Sequence, residues 1–204
     1  MGHSEKTWDL DEVIATAELE GRRWRVVDPE TEAKVTGDLL KELAKAPEEF
    51  FPKLVQTVLE RSSADSSGIS LLDEKERRFV WPAVVGGLSA YIGAGTPSDF
   101  GPCGTVLDRN AAVLFQRPER HFTYLKPITP ILEEVLLAPF HVNGEAVGTI
   151  WAVIHEPGGQ FDREDRRFLE MMSTFAASAY RVLTQTGVLE TMIDGLPKHP
   201  TPGR

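Results

Sequence analysis

Residues 135–155 read VLLAPFHVNGEAVGTIWAVIH, and this stretch decides the fold class. Two apolar runs flank Asn143-Gly144, the dipeptide that favours a two-residue type I′ turn between antiparallel strands. Such a turn predicts four facing pairs in the hairpin: Phe140 with Val147, Ala138 with Thr149, Leu136 with Trp151, and Leu137 with Ile150 on the other side. Because both faces are apolar, the hairpin belongs in the middle of a layered structure.

Further strands, separated by long loops, are predicted before the hairpin. Residues 69–72 and 79–85 predict two strands, and Pro82 moves the second towards a sheet edge or a bulge. Residues 86–104 are rich in glycine and proline and predict a long ordered loop. Residues 111–115 predict another strand, and 117–130 a second loop-rich connection. Long ordered loops often carry function.

Helices are predicted at the N-terminal side of the strands. Asp9 caps a helix over residues 9–21, with Glu12 completing a capping box, and residues 22–35 predict an extended arm. Asp38 then caps a helix that Pro47 ends, because the residue before proline avoids helical torsions. Apolar residues between 54 and 59 mark the buried stripe of the next helix.

A long helix is predicted after the hairpin. Asp162 caps it, and apolar residues recur at heptad-like spacings from Phe168 to Ile193, interrupted at Thr186 and Gly187. A second apolar stripe runs beside the first. One stripe can pack on the sheet and the other on a second copy, so we expect a homodimer through the terminal helices. Residues 195–204 are proline-rich and predict a disordered tail.

Composition excludes several classes of protein. The 204 residues are 41% apolar, and no apolar run reaches the roughly 20 residues of a membrane-spanning helix. A net charge of −9 disfavours nucleic-acid binding, and the one basic cluster, at residues 22–25, is short. The single cysteine excludes an internal disulfide framework. These features predict a cytoplasmic protein that binds neither nucleic acid nor membrane.

Five stretches carry a resemblance to a known family: ADSSGISLLDE (64–74), DFGPCGTVLDRN (99–110), FQRPERHFTYL (115–125), LLAPFHVNGEAVGTIWAVIHE (136–156) and FDREDRRFLEMM (161–172). Together they resemble a GAF domain, related to the PAS fold, of the kind found alone or with bacterial sensor histidine kinases. The resemblance implies an α+β sandwich: a six-stranded antiparallel sheet with helices on one side and a loop-roofed pocket on the other. We expect an N-terminal helix and arm over 1–37, the domain over 38–194, and the tail over 195–204.

The resemblance also implies a small-molecule sensor without an output domain of its own, acting through dimerisation and a signalling partner such as a histidine kinase. The residues expected near the pocket come from the resemblance and from their loop or strand positions; they are Trp81, Tyr91, Phe100, Cys103, His121, Tyr124 and Trp151. Simple core packing explains the same residues equally well. The ligand and any cofactor are unknown.

Cys103 offers an alternative function, a thiol-based redox sensor or reductase. Pro102 at the start of a short helix would bring the thiol near backbone N–H groups, which lower a thiol pKa. A lone cysteine is more often a small buried hydrophobe, and no second thiol is present to form a reversible disulfide. The sequence therefore favours packing but leaves the redox function open.

Cofactor and enzyme functions find little support. Gly104 follows Cys103 where bilin-binding relatives commonly carry histidine, so a bilin is not expected. His141 and His155 lie too far apart along the hairpin to be a ligand pair. His121 is the best single candidate for a haem or metal ligand, because its loop should approach the pocket, and a surface or hydrogen-bonded histidine is the favoured alternative. No Gly-x-Ser-x-Gly elbow or phosphate-binding glycine loop is present. The sequence therefore favours a protein that is not an enzyme.

Overall fold

A computed structural model describes residues 8–199, and its centre is an antiparallel sheet. The five strands lie in the order β2-β1-β5-β4-β3. Their bounds are Ser66–Asp73 (β1), Arg78–Gly86 (β2), Val113–Gln116 (β3), Glu134–Val142 (β4) and Glu145–Ile154 (β5). The α+β class is confirmed. β2 lies at the sheet edge, where Pro82 predicts it, and a register shift opposite 69–71 surrounds that proline.

The prediction of a sixth strand is wrong. Residues 93–98 run along the outer edge of β2 and bond to it: Phe79 N donates to Thr96 O at 2.7 Å and Trp81 N to Ala94 O at 2.9 Å. Gly93 has a φ of +84°, and proline at 97 has no N–H to donate, so the pairing stays irregular. The segment protects the sheet edge without forming a strand.

The hairpin turn is confirmed, and its predicted register is wrong. Asn143 and Gly144 have φ of 56° and 87°, as a type I′ turn requires. A bulge follows next to the turn, so the observed pairs are Phe140 with Gly148, Ala138 with Ile150, Leu137 with Trp151, and Leu136 with Ala152. The Phe140 ring lies across Gly148, and a Cβ at position 148 would come within 2.7 Å of it. A glycine therefore fits opposite Phe140 where a larger residue does not.

Helices of the described residues form a layer on one face of the sheet: α3 (Phe50–Arg61), α5 (Arg163–Gln185) and α6 (Val188–Asp194) contact the strands, and α2 (Pro29–Lys45) packs on α3. The cap of α2 is Asp28, ten residues before the predicted cap Asp38. Asp28 caps it by accepting from the N–H groups of Glu30 and Thr31, each at 3.2 Å, and Pro29 occupies the first turn. The extended arm is therefore limited to residues 22–28.

The long C-terminal helix is shorter than predicted. α5 ends at Gln185, and Gly187 at a φ of +74° turns the chain so that α6 folds back on the core. Met172 and Ala179 of one stripe and Ala176 and Leu183 of the other are all fully buried inside the domain. Neither apolar stripe of α5 is fully available for contact with a second copy of the chain, because the sheet and α3 pack against residues of both stripes.

The N-terminal segment covers the other sheet edge. α1 (Leu10–Val13) begins at the predicted capping box of Asp9 and Glu12 but spans four residues, and a 3-10 turn follows over Thr16–Gly21. Ala15 N donates to Leu114 O of β3 at 2.8 Å. The basic cluster lies in the extended arm, where Arg22 pairs with buried Glu134.

The residues after α6 pack on the domain as far as they are described. The carbonyl oxygen of Pro197 lies so close to Gly93 that a Cβ there would be 2.1 Å away, and Leu196 contacts the helical core. Leu196 and Pro197 of the predicted tail therefore contact the domain, residues 200–204 lie outside the described part, and the disordered tail over 195–204 stays a prediction. The boundaries 38 and 194 stay predictions. Within residues 8–199, every helix is too short or too polar to cross a bilayer.

Candidate functional site

A small cavity lies on the face of the sheet opposite α2, α3 and α5. The cavity is closed on the side away from the sheet by α4 (Pro102–Arg109) and by two loops, residues 87–101 and 117–133, which we call the crossover loops. Its volume is about 50 Å³, and it is lined by Trp81, Leu88, Thr96, Pro102, Cys103, Pro118, Leu125, Ile128, Leu132, Val135, Leu137, Trp151 and Val153. This space holds one or two waters. It is far below the 300–1,000 Å³ of pockets that hold drug-sized ligands, so a larger ligand requires the roof to move.

Two tryptophans form the floor of the cavity. Trp151 on β5 lies across Gly68 of β1, and a Cβ at Gly68 would come within 2.2 Å of its ring. The indole Nε1 donates to Ser70 Oγ at 3.0 Å, which fixes the ring. Trp81 meets Trp151 edge to face at a centroid distance of 5.5 Å. Because Gly68 has no side chain, the Trp151 ring can lie flat over β1 and form the aromatic floor of the cavity.

Cys103 lies in the first turn of α4 and lines the cavity. Its thiol donates to Ser70 Oγ at 3.3 Å and accepts from Thr149 Oγ1 at 3.5 Å. Burial raises the pKa of the Cys103 thiol, and these hydroxyls offset the rise only in part. The helix start predicted from Pro102 is present, but desolvation outweighs the effect of the helix N-terminus. The thiol is a weak nucleophile in this environment.

Alkylation of Cys103 should therefore be slow in the native protein. We expect iodoacetamide at pH 8 to react at least about tenfold more slowly with native protein than with urea-unfolded protein, because the reactive thiolate is rare and shielded. Because burial raises the pKa, the native rate should still climb at pH values where an exposed cysteine has levelled off. Equal rates in the native and unfolded states would restore the redox function.

Several buried polar atoms at the cavity lack hydrogen bonds. Within residues 8–199, these atoms include Trp81 Nε1, Thr96 Oγ1 and Tyr124 OH. The Thr96 hydroxyl lies beside both the Cys103 thiol and the Tyr124 phenol and lowers the pKa of each, so these three groups are neighbours that can pair with one another. Burial nevertheless raises the pKa of the Tyr124 phenol. Buried polar groups are normally paired, so the Trp81 Nε1 donor marks a position where a ligand or water can bond.

The structure brings together only part of the predicted site. Trp81, Cys103 and Trp151 line the cavity. Phe100, His121 and Tyr124 form an aromatic cluster beside it, where Phe100 is 38% exposed and its ring centroid lies 5.5 Å from that of His121.

Two of the predicted side chains serve as anchors. His121 Nδ1 bonds to Trp8 O at 2.7 Å, and Tyr91 OH accepts from Thr129 N at 3.1 Å. His121 thus holds the N-terminal segment, and Tyr91 holds the roof. No group of His, Cys, Asp or Glu among the described residues could hold a metal ion.

Most lining residues are aliphatic and were missed by sequence reasoning. Leu88, Leu125, Ile128 and Leu132 come from the crossover loops, where ordinary apolar residues carry no distinguishing pattern. Leu137 and Val153 are exceptions. Side chains alternate between the two faces of a strand, so with the bulge included the sequence places both residues on the same face as Trp151.

One segment of the roof has its own backbone hydrogen bonds. Leu125 N donates to Phe122 O at 2.9 Å, Lys126 N to Thr123 O at 3.1 Å, and Ile128 N to Leu125 O at 3.0 Å. We call residues 122–128 the lid. Just beyond its C-terminal end, Ile131 O bonds to His155 Nδ1 at 2.6 Å. A shift of the lid as a unit keeps these internal bonds but requires the buried side chains of Phe122 and Leu125 to leave their packing.

This architecture defines a class: an α+β sandwich with helices on one face of an antiparallel sheet and a loop-roofed cavity on the other. The GAF domain family model matches residues 44–180. The chain belongs to the GAF domain family. No curated protein matches the sequence significantly.

Solved structures share the fold at low sequence identity. The GAF domain of a phosphoenolpyruvate-protein phosphotransferase from Acinetobacter has a TM-score of 0.66 and 17% identity, covering 78% of this chain and 97% of that one. The corresponding domain from Coxiella burnetii has a TM-score of 0.64 and 18% identity, covering 79% and 99%. The free methionine-R-sulfoxide reductase from Neisseria meningitidis has 0.60 and 14%, covering 80% and 97%. At these identities the likeness concerns the fold alone.

Proposed function

We propose that this chain is a sensory module that binds a small molecule in the cavity between the sheet and the lid. The observation that carries the proposal is the unpartnered indole Nε1 of Trp81, on a residue that lines a largely apolar cavity. Core packing alone would favour pairing this N–H, because an unsatisfied buried group costs roughly 1–3 kcal/mol. A ligand with a hydrogen-bond acceptor would satisfy it.

We further infer that the module acts in the cytoplasm as a homodimer and passes ligand occupancy to a signalling partner such as a histidine kinase. Apolar residues exposed on the extended arm and on α2 support a dimer: Trp24 is 62% exposed, Val26 100% and Leu40 55%. A ligand shifts such an assembly only through different affinities for its two states. Movement of the lid and α4 on binding would supply that difference.

Native mass spectrometry of the full chain, purified from its own host without denaturation, tests both parts. We expect a dimer mass and, on each subunit, an added small-molecule mass that disappears after unfolding and refolding. Trp81→Phe should reduce the bound fraction, because it removes the unpaired indole N–H while keeping an aromatic side chain. Leu43→Met, which changes a partly buried residue of the helical core, is the control. A bare monomer would contradict the proposal.

The redox alternative has less support. Its one candidate nucleophile, Cys103, is buried and has a raised pKa. A substrate would reach the sulfur only with the lid displaced. The alkylation experiment described above decides between the two functions.

A further inference from the structure

We propose that the ligand is a small organic anion whose apolar body enters the cavity and whose acidic group binds in a groove outside the lid. This inference rests on the proposed function, because it assigns a ligand class to the same cavity. It depends on the position of the groove, on the charges that line it and on the interior of the cavity.

The groove and the cavity are neighbours separated by a few side chains. The groove has a volume of about 340 Å³, and Leu125, Ile128 and Leu132 line both it and the cavity. These three residues are therefore the wall between the two spaces. Leu125 and Ile128 belong to the lid, so displacement of the lid joins the cavity to the groove. The combined site accommodates a ligand of ordinary metabolite size, which the closed cavity excludes.

The groove is basic on a chain that is acidic overall. The net charge of the protein is −9, yet the groove is lined by Arg117, Arg120 and Lys126 against the single carboxylate of Glu119. Arg117 is bound internally, because its Nε donates to Glu119 Oε1 at 2.6 Å and its Nη1 lies 3.6 Å from Glu133 Oε2. Arg120 is therefore the lining residue whose positive charge can attract and orient an anion.

Arg120 has the geometry to bind that anion. Its guanidinium carbon lies 4.8 Å from the centroid of the Trp8 ring. Within residues 8–199 the guanidinium has this cation–π contact and no hydrogen bond or ion pair, so its N–H groups can donate to an anion. The contact with Trp8 also restrains the side chain, which lowers the entropy cost of binding a carboxylate or sulfonate.

The interior of the cavity favours a flat apolar body. Trp81 and Trp151 present an edge-to-face pair to the space, an arrangement that extends readily to a third ring. Trp81 Nε1 is a donor without an acceptor, so a ligand oxygen or ring nitrogen can bond there. No described lining residue of the cavity carries a carboxylate, so a cationic group would find no partner inside.

Three probes of similar size and different charge test the inference: phenylacetate, 2-phenylethanol and 2-phenylethylamine. Each is titrated into the full chain while the indole N–H signals of the four tryptophans are followed by NMR, with Trp81 assigned through Trp81→Phe. We expect phenylacetate to shift the Trp81 signal and to bind at least about tenfold more tightly than the other two, as a charged hydrogen bond provides.

Charge variants locate the anion. Arg120→Gln should weaken phenylacetate binding about tenfold and leave 2-phenylethanol binding unchanged. Arg109→Gln is the matched control, because it also removes one positive charge and its partner, Asp11 at 3.0 Å, lies outside the groove. If Arg120→Gln fails to fold, Arg120→Lys is the second groove variant; it keeps the charge but loses the planar fork, so it should weaken phenylacetate binding by a smaller factor and leave 2-phenylethanol binding unchanged.

Two results would overturn the inference. The ligand class is wrong if phenylacetate and 2-phenylethanol shift the Trp81 signal with equal affinity. It is also wrong if neither groove variant changes the ratio of these two affinities. In both cases the proposed function stands. If no probe shifts the Trp81 signal, the inference also fails. Native mass spectrometry then shows separately whether the proposed function fails with it.

Discussion

Glu134→Ala should lower the free energy of unfolding by about 3–5 kcal/mol, because it leaves the Arg22 guanidinium without its buried partner. Glu134 is fully buried, and its two oxygens accept from Arg22 Nη2 at 2.7 Å and Nη1 at 2.8 Å. The Phe161 N–H donates to the same carboxylate at 2.9 Å. One side chain thus ties the N-terminal arm, β4 and the segment that leads into α5 together. Urea unfolding followed by circular dichroism measures the loss.

An exposed pair provides the control. Glu32→Ala breaks an equally short pair with Arg167, at 2.8 Å, that lies at the surface, so it should cost less than about 1 kcal/mol. The double variant Arg22→Met/Glu134→Leu should be more stable than Glu134→Ala, because replacing both charges leaves none buried alone. If Glu134→Ala costs no more than Glu32→Ala, the buried pair does not fasten the arm.

Gly68→Ala should lower the free energy of unfolding by about 1–3 kcal/mol, because the new Cβ collides with the Trp151 ring. The closest atom of that ring lies 2.2 Å from the position that the Cβ would take, and the bond from Nε1 to Ser70 Oγ holds the ring there. The ring must leave its position, and the cavity floor moves with it. Urea unfolding gives the energy, and the indole N–H signal of Trp151 reports the displacement.

A second glycine gives an effect of opposite sign. A Cβ at Gly37, inside α2, meets nothing within 4 Å, so Gly37→Ala should stabilise the protein by about 0.5–1 kcal/mol through helix propensity. In a Trp151→Leu background, Gly68→Ala should cost less than half of its effect in the native sequence, because the colliding ring is gone. If Gly68→Ala costs as much in the Trp151→Leu background as in the native sequence, the loss of stability comes from the β1 backbone and not from the collision with the ring.

Local patterns in the sequence predict the elements whose causes are local. Asn143-Gly144 predicts its turn because both residues tolerate a positive φ, and Pro82 predicts an edge because it lacks an N–H. Asp28-Pro29 is an equally local signal for the start of α2, as a cap followed by a first-turn proline. The prediction of an extended arm over 22–35 overlooks that signal, so this error is one that the sequence could have prevented.

Contacts between neighbouring strands account for the other differences. At the bulged end of the hairpin, Ser70 O of β1 and the Phe140 ring leave no room for a Cβ on Gly148, and the lost sixth strand reflects how residues 93–98 fit along β2. No pattern in either segment alone encodes these fits, since each depends on the shape of a neighbouring segment in the folded chain.

The sequence by itself determined the fold class, the family and the aromatic residues near the cavity, because hydrophobic periodicity, turn residues and motifs are written in consecutive positions. The tertiary structure alone decided how large the cavity is, which polar atoms in it lack partners, and that Cys103 is buried with a raised thiol pKa. The physical reason is that volume, desolvation and hydrogen-bond pairing belong to sets of atoms from β1, β2, β5, α4 and the crossover loops, which meet only in the folded chain.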